Sequence, residues 1–271
     1  MAESRPVTVA DGNMRVRRPE TMSLLVGTLL LRPYVFVFLA VFLAAGAADL
    51  GWRRTVAFAA CVWPLAWLAE FSSTRTGVPF GRYHYTGITR GQELYVADVP
   101  FMDSLSFTFL AYAAFCLARV TLRGRRVGRA RMAVTAGALM MLLDVVIDPL
   151  AVRGDRWFLG PIFAYAEPGV YFGVPLANFA GWWLVGALGV GGYLLLAGAP
   201  RPGGPRGGAD PPRADPWGRR PWPGVALYYA VLAFNLAVTA WIGEWALLAC
   251  GLAVHAALVA AVRAVARRGA P

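Results

Sequence analysis

Asp144 and Asp148 stand four residues apart in the segment LDVVIDP, at the end of an apolar run. On a helix they share one face, about 40° apart around the axis. Asn178 lies early in the following apolar run, and Glu70 closes an earlier one. Ionisable groups in hydrocarbon are expensive, so acids placed this way mark a functional site by default. Two carboxylates on one face can hold a hard cation through oxygen or share a proton. They can also form a plain interfacial pair with Arg153 or Arg156 as ionic partners. The spacing leaves all three open.

The other polar residues carry less weight. Glu70 reads equally as a site residue and as an interfacial anchor. Asp103 lies about one turn into its own run and ranks second. Asp98, Glu93 and Asp155 read as ordinary loop charges, Glu167 as either, and Glu244 as a turn residue. Asn178 follows Val174-Pro175 by less than a turn, so it is placed to cap a helix or to orient a water. His84, between Tyr83 and Tyr85, reads more readily as a surface residue than as a catalyst. Aromatic residues crowd the same stretches, among them Phe80, Trp157, Phe163, Tyr165, Tyr171, Phe179 and Trp182. A membrane-interface belt explains aromatics in general, but here they gather around Gly and Pro. GVPFG (77–81) and GVYFG (169–173) even echo one another, too briefly to establish a repeat.

The elements that must position these groups are membrane spans. The chain is 58% hydrophobic, 15% charged, and has a mean hydropathy of +0.53. Its apolar residues fall in blocks of about 20, enough to cross some 30 Å of hydrocarbon. The fold class expected is an all-α integral membrane protein of about seven transmembrane helices with short interfacial connectors. Residues 1–21 form a polar tail expected to be disordered, and 22–197 a membrane core with five spans and the site. Residues 198–224 form a Pro/Gly/Arg-rich flexible linker, and 225–271 two further spans and a basic tail. The first run, Met22 to Ala48, is too long for a signal-peptide core and is expected as one retained helix. Arg32 within it snorkels or marks where the span begins. Pro149 disfavours helical geometry at Asp148, so the helix should end or kink there. RYHYTG followed by ELYVADV predicts a short surface hairpin. Gly181, Gly186, Gly189, Gly191 and Gly192 permit close helix approach.

The net charge of +11 comes wholly from Arg. Those residues sit in loops beside the spans, as topology signals do, which argues against nucleic-acid binding. In a seven-span arrangement sixteen Arg fall on one side and nine on the other. The richer side is expected to be cytoplasmic, although the basic N-terminal tail opposes this. Cys61, Cys116 and Cys250 lie in apolar runs without a C-x-x-C pair and read as small packing residues. With two histidines and no Gly-rich dinucleotide motif, neither a metal centre nor a cofactor is expected.

Acids among aromatic rings inside a membrane suit isoprenoid chemistry. A carboxylic acid kept neutral by burial can protonate a double bond. Ring faces then stabilise the tertiary carbocation by cation–π attraction. The residues Glu70, T-R-T-G-V-P-F-G-R-Y-H-Y (74–85), L-D-V-V-I-D-P (143–149), Trp157 and G-V-Y-F-G-V-P-L-A-N-F-A-G-W (169–182) resemble the membrane carotenoid hydratases. The resemblance spans roughly residues 60–190. It implies addition of water across the terminal double bond of an acyclic carotenoid ψ-end, giving a tertiary alcohol. It also implies Asp144, Asp148, Glu70 and Asn178 as catalytic residues; one of the Asp pair is expected to give the proton, and Glu70 or Asn178 to position water. Phe80, Tyr83, His84, Tyr85, Trp157, Tyr171, Phe179 and Trp182 are expected to bind substrate. The expected partners are the carotenoid within the bilayer, membrane lipids and other carotenoid enzymes, in a prokaryotic cytoplasmic membrane. Three alternatives stand beside it: a Mg²⁺-dependent prenyl-chain transferase, a carotenoid isomerase or cyclase, and a non-enzymatic pigment or lipid carrier.

Overall fold

The computed structural model describes residues 21–123, 125, 127–197 and 217–268. The expected tail up to residue 20 and the linker from 198 to 216 lie outside the described residues. The rest is a helical bundle: α1 (Thr21–Leu31), α2 (Pro33–Asp49), α3 (Trp52–Thr76), α4 (Phe101–Thr121), α5 (Arg129–Ala151), α6 (Leu176–Leu196), α7 (Trp222–Trp241) and α8 (Trp245–Arg268). Six of these are long and apolar enough to cross a membrane, and α1 with α2 supplies a seventh span if counted together. This is an all-helical integral membrane protein. Exposed Trp52 and Trp222 mark one end of the bundle, and exposed Trp241 and Trp245 the other, as expected of rings at the two interfaces.

The first run is not one helix. It breaks by 88° between α1 and α2. Pro33 opens α2 with no N–H to give, and the residue before a proline avoids helical geometry; Arg32 accordingly takes φ −125° and ψ 50°. Helix α1 thus runs nearly perpendicular to α2, and Met22, Leu25 and Leu30 are exposed on it. Pro149, by contrast, does not stop α5, which runs on to Ala151. It sits so near the helix end that little hydrogen bonding is lost, and Val152 N still donates to Asp148 O at 3.0 Å.

The expected hairpin between RYHYTG and ELYVADV does not form. Instead β1 (Tyr83–Tyr85) pairs antiparallel with β4 (Phe163–Tyr165), Tyr83 opposite Tyr165. The second segment folds on itself as β2 (Tyr95–Val96) against β3 (Val99–Pro100). The two long connectors are thereby joined to each other at one end of the bundle. The first echoed loop also packs there on the residue that opens α6: a Cβ on Gly81 would lie 3.2 Å from Pro175 Cγ.

Beneath this closure α5 and α6 are in close contact. A Cβ on Gly137 would sit 2.4 Å from Trp183 O, and one on Gly186 3.0 Å from Gly137 Cα. Small residues let helix backbones approach where lipid gives no hydrophobic drive. Gly181 and Gly189 serve the same end, against Phe80 and Val62, whereas Gly192 faces open space. Helix α4 runs through the centre, buried over most of its length.

Candidate active site

The close α5–α6 contact sets the Asp pair against Asn178. Its Nδ2 donates to Asp144 Oδ2 at 2.6 Å and to Asp148 Oδ2 at 2.8 Å. Trp182 Nε1, one turn further along α6, donates to Asp148 Oδ2 at 3.2 Å. The Asp148 backbone N–H donates to Asp144 Oδ1 at 3.2 Å. One amide thus bridges two carboxyl groups, and Asn178 spends its side chain on them, not on capping α6. Arg153 and Arg156 do not serve the pair. Both bind Glu244, Arg153 Nε at 3.4 Å, so the plain interfacial pairing is not what the fold builds.

Asp148 faces a cavity of about 140 Å³; Asp144, fully buried, lies behind it. Glu70 from α3 and Asp103 from α4 line the same space, as do Asn178 and Arg32. Glu70 is buried, its Oε2 has no hydrogen-bond partner, and the Tyr85 hydroxyl is within hydrogen-bonding reach. Much of the remaining wall is ring surface, with Phe80, Tyr83, Tyr85, Phe107, Trp157 and Trp182 among aliphatic side chains such as Leu110 and Ile147. Phe107 and Trp182 stack with centroids 4.5 Å apart. In β1 alternate side chains point to opposite faces. Tyr83 and Tyr85 therefore turn inward together, and the strand's pairing to β4 holds Phe163 and Tyr165 beside them. Burial, with the Glu70 carboxyl adding, pushes both β1 phenols well above the ordinary tyrosine range. They remain neutral hydroxyls at any working pH.

Of the residues expected to bind substrate, Phe80, Tyr83, Tyr85, Trp157 and Trp182 line the cavity. His84 is on the outer face of β1, exposed. Tyr171 and Phe179 meet edge to face with centroids 5.3 Å apart and are not part of the cavity wall.

Three residues matter more than their sequence context suggests. Arg32, in the α1–α2 break, is 2% exposed. It does not snorkel: Nε and Nη2 donate to Glu93 Oε2 and Oε1 at 2.6 and 2.9 Å, and Nη1 donates to Asp103 Oδ1. Glu93 is accordingly no ordinary loop charge, since its side chain is wholly buried. Asp103 had a usable signal: Asp103, Ser106, Phe107 and Leu110 follow the i, i+3, i+4, i+7 pattern of one helix face, and all four line the cavity. Among the described residues no group of three or more His, Cys, Asp or Glu converges as a metal cluster.

Fold and site together define a polytopic membrane protein with an acid-lined, aromatic-walled chamber at one end of its bundle. The chain belongs to the carotenoid biosynthesis protein family, whose sequence pattern matches residues 24–258. It is 35% identical over 121 residues to bisanhydrobacterioruberin hydratase of Haloarcula japonica, a match covering 45% of this chain and 38% of that relative's length. No solved structure matches it.

Proposed function

We propose that this protein is a carotenoid hydratase of a prokaryotic cytoplasmic membrane. It adds water across the terminal double bond of an acyclic ψ-end to give a tertiary alcohol, without a redox step. The observation that carries the reading is the Asp144–Asn178–Asp148 cluster opening on a chamber walled by rings. The name of the Haloarcula relative supports it at the level of reaction class.

The pair holds one proton between two carboxyl groups bridged by Asn178, because like charges so close resist double ionisation. Asp148, on the cavity side, passes that proton to the less substituted carbon of the double bond. The electron pair of the double bond forms the new C–H bond and leaves a tertiary cation at the other carbon. Tyr83, Tyr85 and Trp182 present ring faces to that charge. Glu70, with Tyr85 and Asn178, holds the water that adds to the cation. The chamber suits hydrocarbon better than a diphosphate, because Arg32, the one cation lining it among the described residues, is already bound by two carboxylates.

The test is pigment mass analysis of a host that accumulates an acyclic carotenoid and expresses this chain. A product heavier by one water with an unchanged chromophore is the expected result. A product longer by an isoprenoid unit would point to prenyl transfer. Unchanged pigment across lycopene- and γ-carotene-type substrates, with the protein present in the membrane, would favour a carrier.

A further inference from the structure

Hydration needs a second group besides the acid. As the C–O bond forms, the attacking water must lose a proton, and a carboxylate already ionised takes it best. Three acids line the chamber, Glu70, Asp103 and Asp148, with buried Asp144 behind the last, and they differ in their partners. Asp148 belongs to the pair that holds the proton. Glu70 makes no ion pair among the described residues. Asp103 alone accepts from a guanidinium, that of Arg32, while its own carboxyl remains on the cavity wall.

The arrangement behind Asp103 is specific. An arginine cannot be deprotonated in a protein and presents its donors in a planar fork. Glu93, from the connector before α4, takes Nε and Nη2 of that fork and leaves Nη1 for Asp103. Arg32 reaches both only because the chain breaks there by 88°. The connector is in turn tied to α1, where Leu94 N donates to Thr28 Oγ1 at 2.8 Å. A buried charge pair chosen for stability alone could lie anywhere in the bundle; this one ends on the wall of the chamber.

We infer that Asp103 is the base of the hydration, kept ionised and aimed by Arg32, with Glu93 as the residue that positions Arg32. This rests on the hydratase reading. Water's oxygen forms the C–O bond with its lone pair, and its O–H electrons stay on oxygen as the proton passes to Asp103. Return of that proton across the chamber to the Asp144–Asp148 pair restores both groups, and the net change is one water added.

The experiment separates protonation from trapping. Membranes carrying wild type, Asp103→Asn or Glu93→Gln are incubated with the acyclic carotenoid in D₂O. Water adduct and deuterium entering unreacted end groups are then measured by mass. Reversible protonation by the Asp pair exchanges hydrogen without Asp103. Asp103→Asn should therefore lose hydration by about 100-fold while exchange stays within about threefold of wild type. Glu93→Gln, which leaves Asp103 in place, should show the same imbalance less strongly. Hydration by Asp103→Asn within about threefold of wild type would overturn the proposal. So would loss of exchange along with hydration in either variant at normal membrane abundance. If Asp103→Asn does not accumulate in membranes, a Glu93→Gln protein that keeps both activities would overturn it as well. Wild-type membranes that give no water adduct would instead sink the hydratase reading itself.

Discussion

At the scale of single residues, the Asp144–Asp148 cluster depends on one amide. Asn178→Leu removes both bridging hydrogen bonds and leaves two buried carboxyl groups facing without a shared donor. Hydration in isolated membranes is expected to fall at least tenfold, with a loss of about 1–3 kcal/mol in thermal unfolding in detergent. Asp148→Asn should be more damaging to turnover than Asp144→Asn, because Asp148 alone of the two meets the chamber. Equal losses would remove the distinction between a facing acid and a backing one. Much of this cluster is legible in the sequence, since four-residue spacing on a helix is local geometry and intramembrane acids are rare. Arg32 and Glu93 are not legible. Pro33 signals the break locally, but the burial follows from pairing residues 61 apart, and neither residue's own neighbourhood names its partner.

At the scale of elements, the α5–α6 contact is what brings the acids and Asn178 together. Gly137→Ala would place a methyl 2.4 Å from the Trp183 carbonyl oxygen. Backbone cannot yield as a side chain can, so the helices must separate. A cost of about 1–3 kcal/mol is expected, read as a lower unfolding temperature in detergent together with slower hydration. Gly192→Ala, facing open space, is the control and should change neither. Spans and glycine stripes are visible in the sequence because hydropathy and residue size act locally. The strands are not, because β1 finds its partner in a connector some eighty residues away. An equally plausible partner nearby pairs with itself instead.

At the scale of the whole molecule, the chamber at one end of the bundle is matched by a second buried charge centre at the other. Sixteen residues along α4 from Asp103, or about 24 Å, Arg119 Nη1 binds Asp49 Oδ2 at 2.5 Å with both side chains wholly buried. Asp49 also accepts from Tyr112 and from the Arg220 backbone N–H. Asp49→Asn would take a buried carboxylate away from the Arg119 guanidinium, at a cost of about 3–5 kcal/mol. Reduced accumulation in membranes is the expected result, with the acid-lined chamber itself untouched. The charge bias of the loops predicts which centre faces outward. A Cys at exposed His84 should react with an impermeant thiol reagent in intact cells, and one at exposed Arg125 only after permeabilisation. The opposite labelling would invert the topology and leave the site where it is.

The chamber's size has a kinetic consequence. About 140 Å³ is well below the ~300–1,000 Å³ that encloses a drug-sized ligand, so under the proposed function only the tip of a long polyene would enter it. The remainder of the molecule stays in lipid, and the protein receives no information about its far terminus. A carotenoid with two identical ends then behaves as two unrelated substrates joined by a spectator. Its singly hydrated form should appear and vanish by chance statistics alone, without processive conversion of both ends in one encounter.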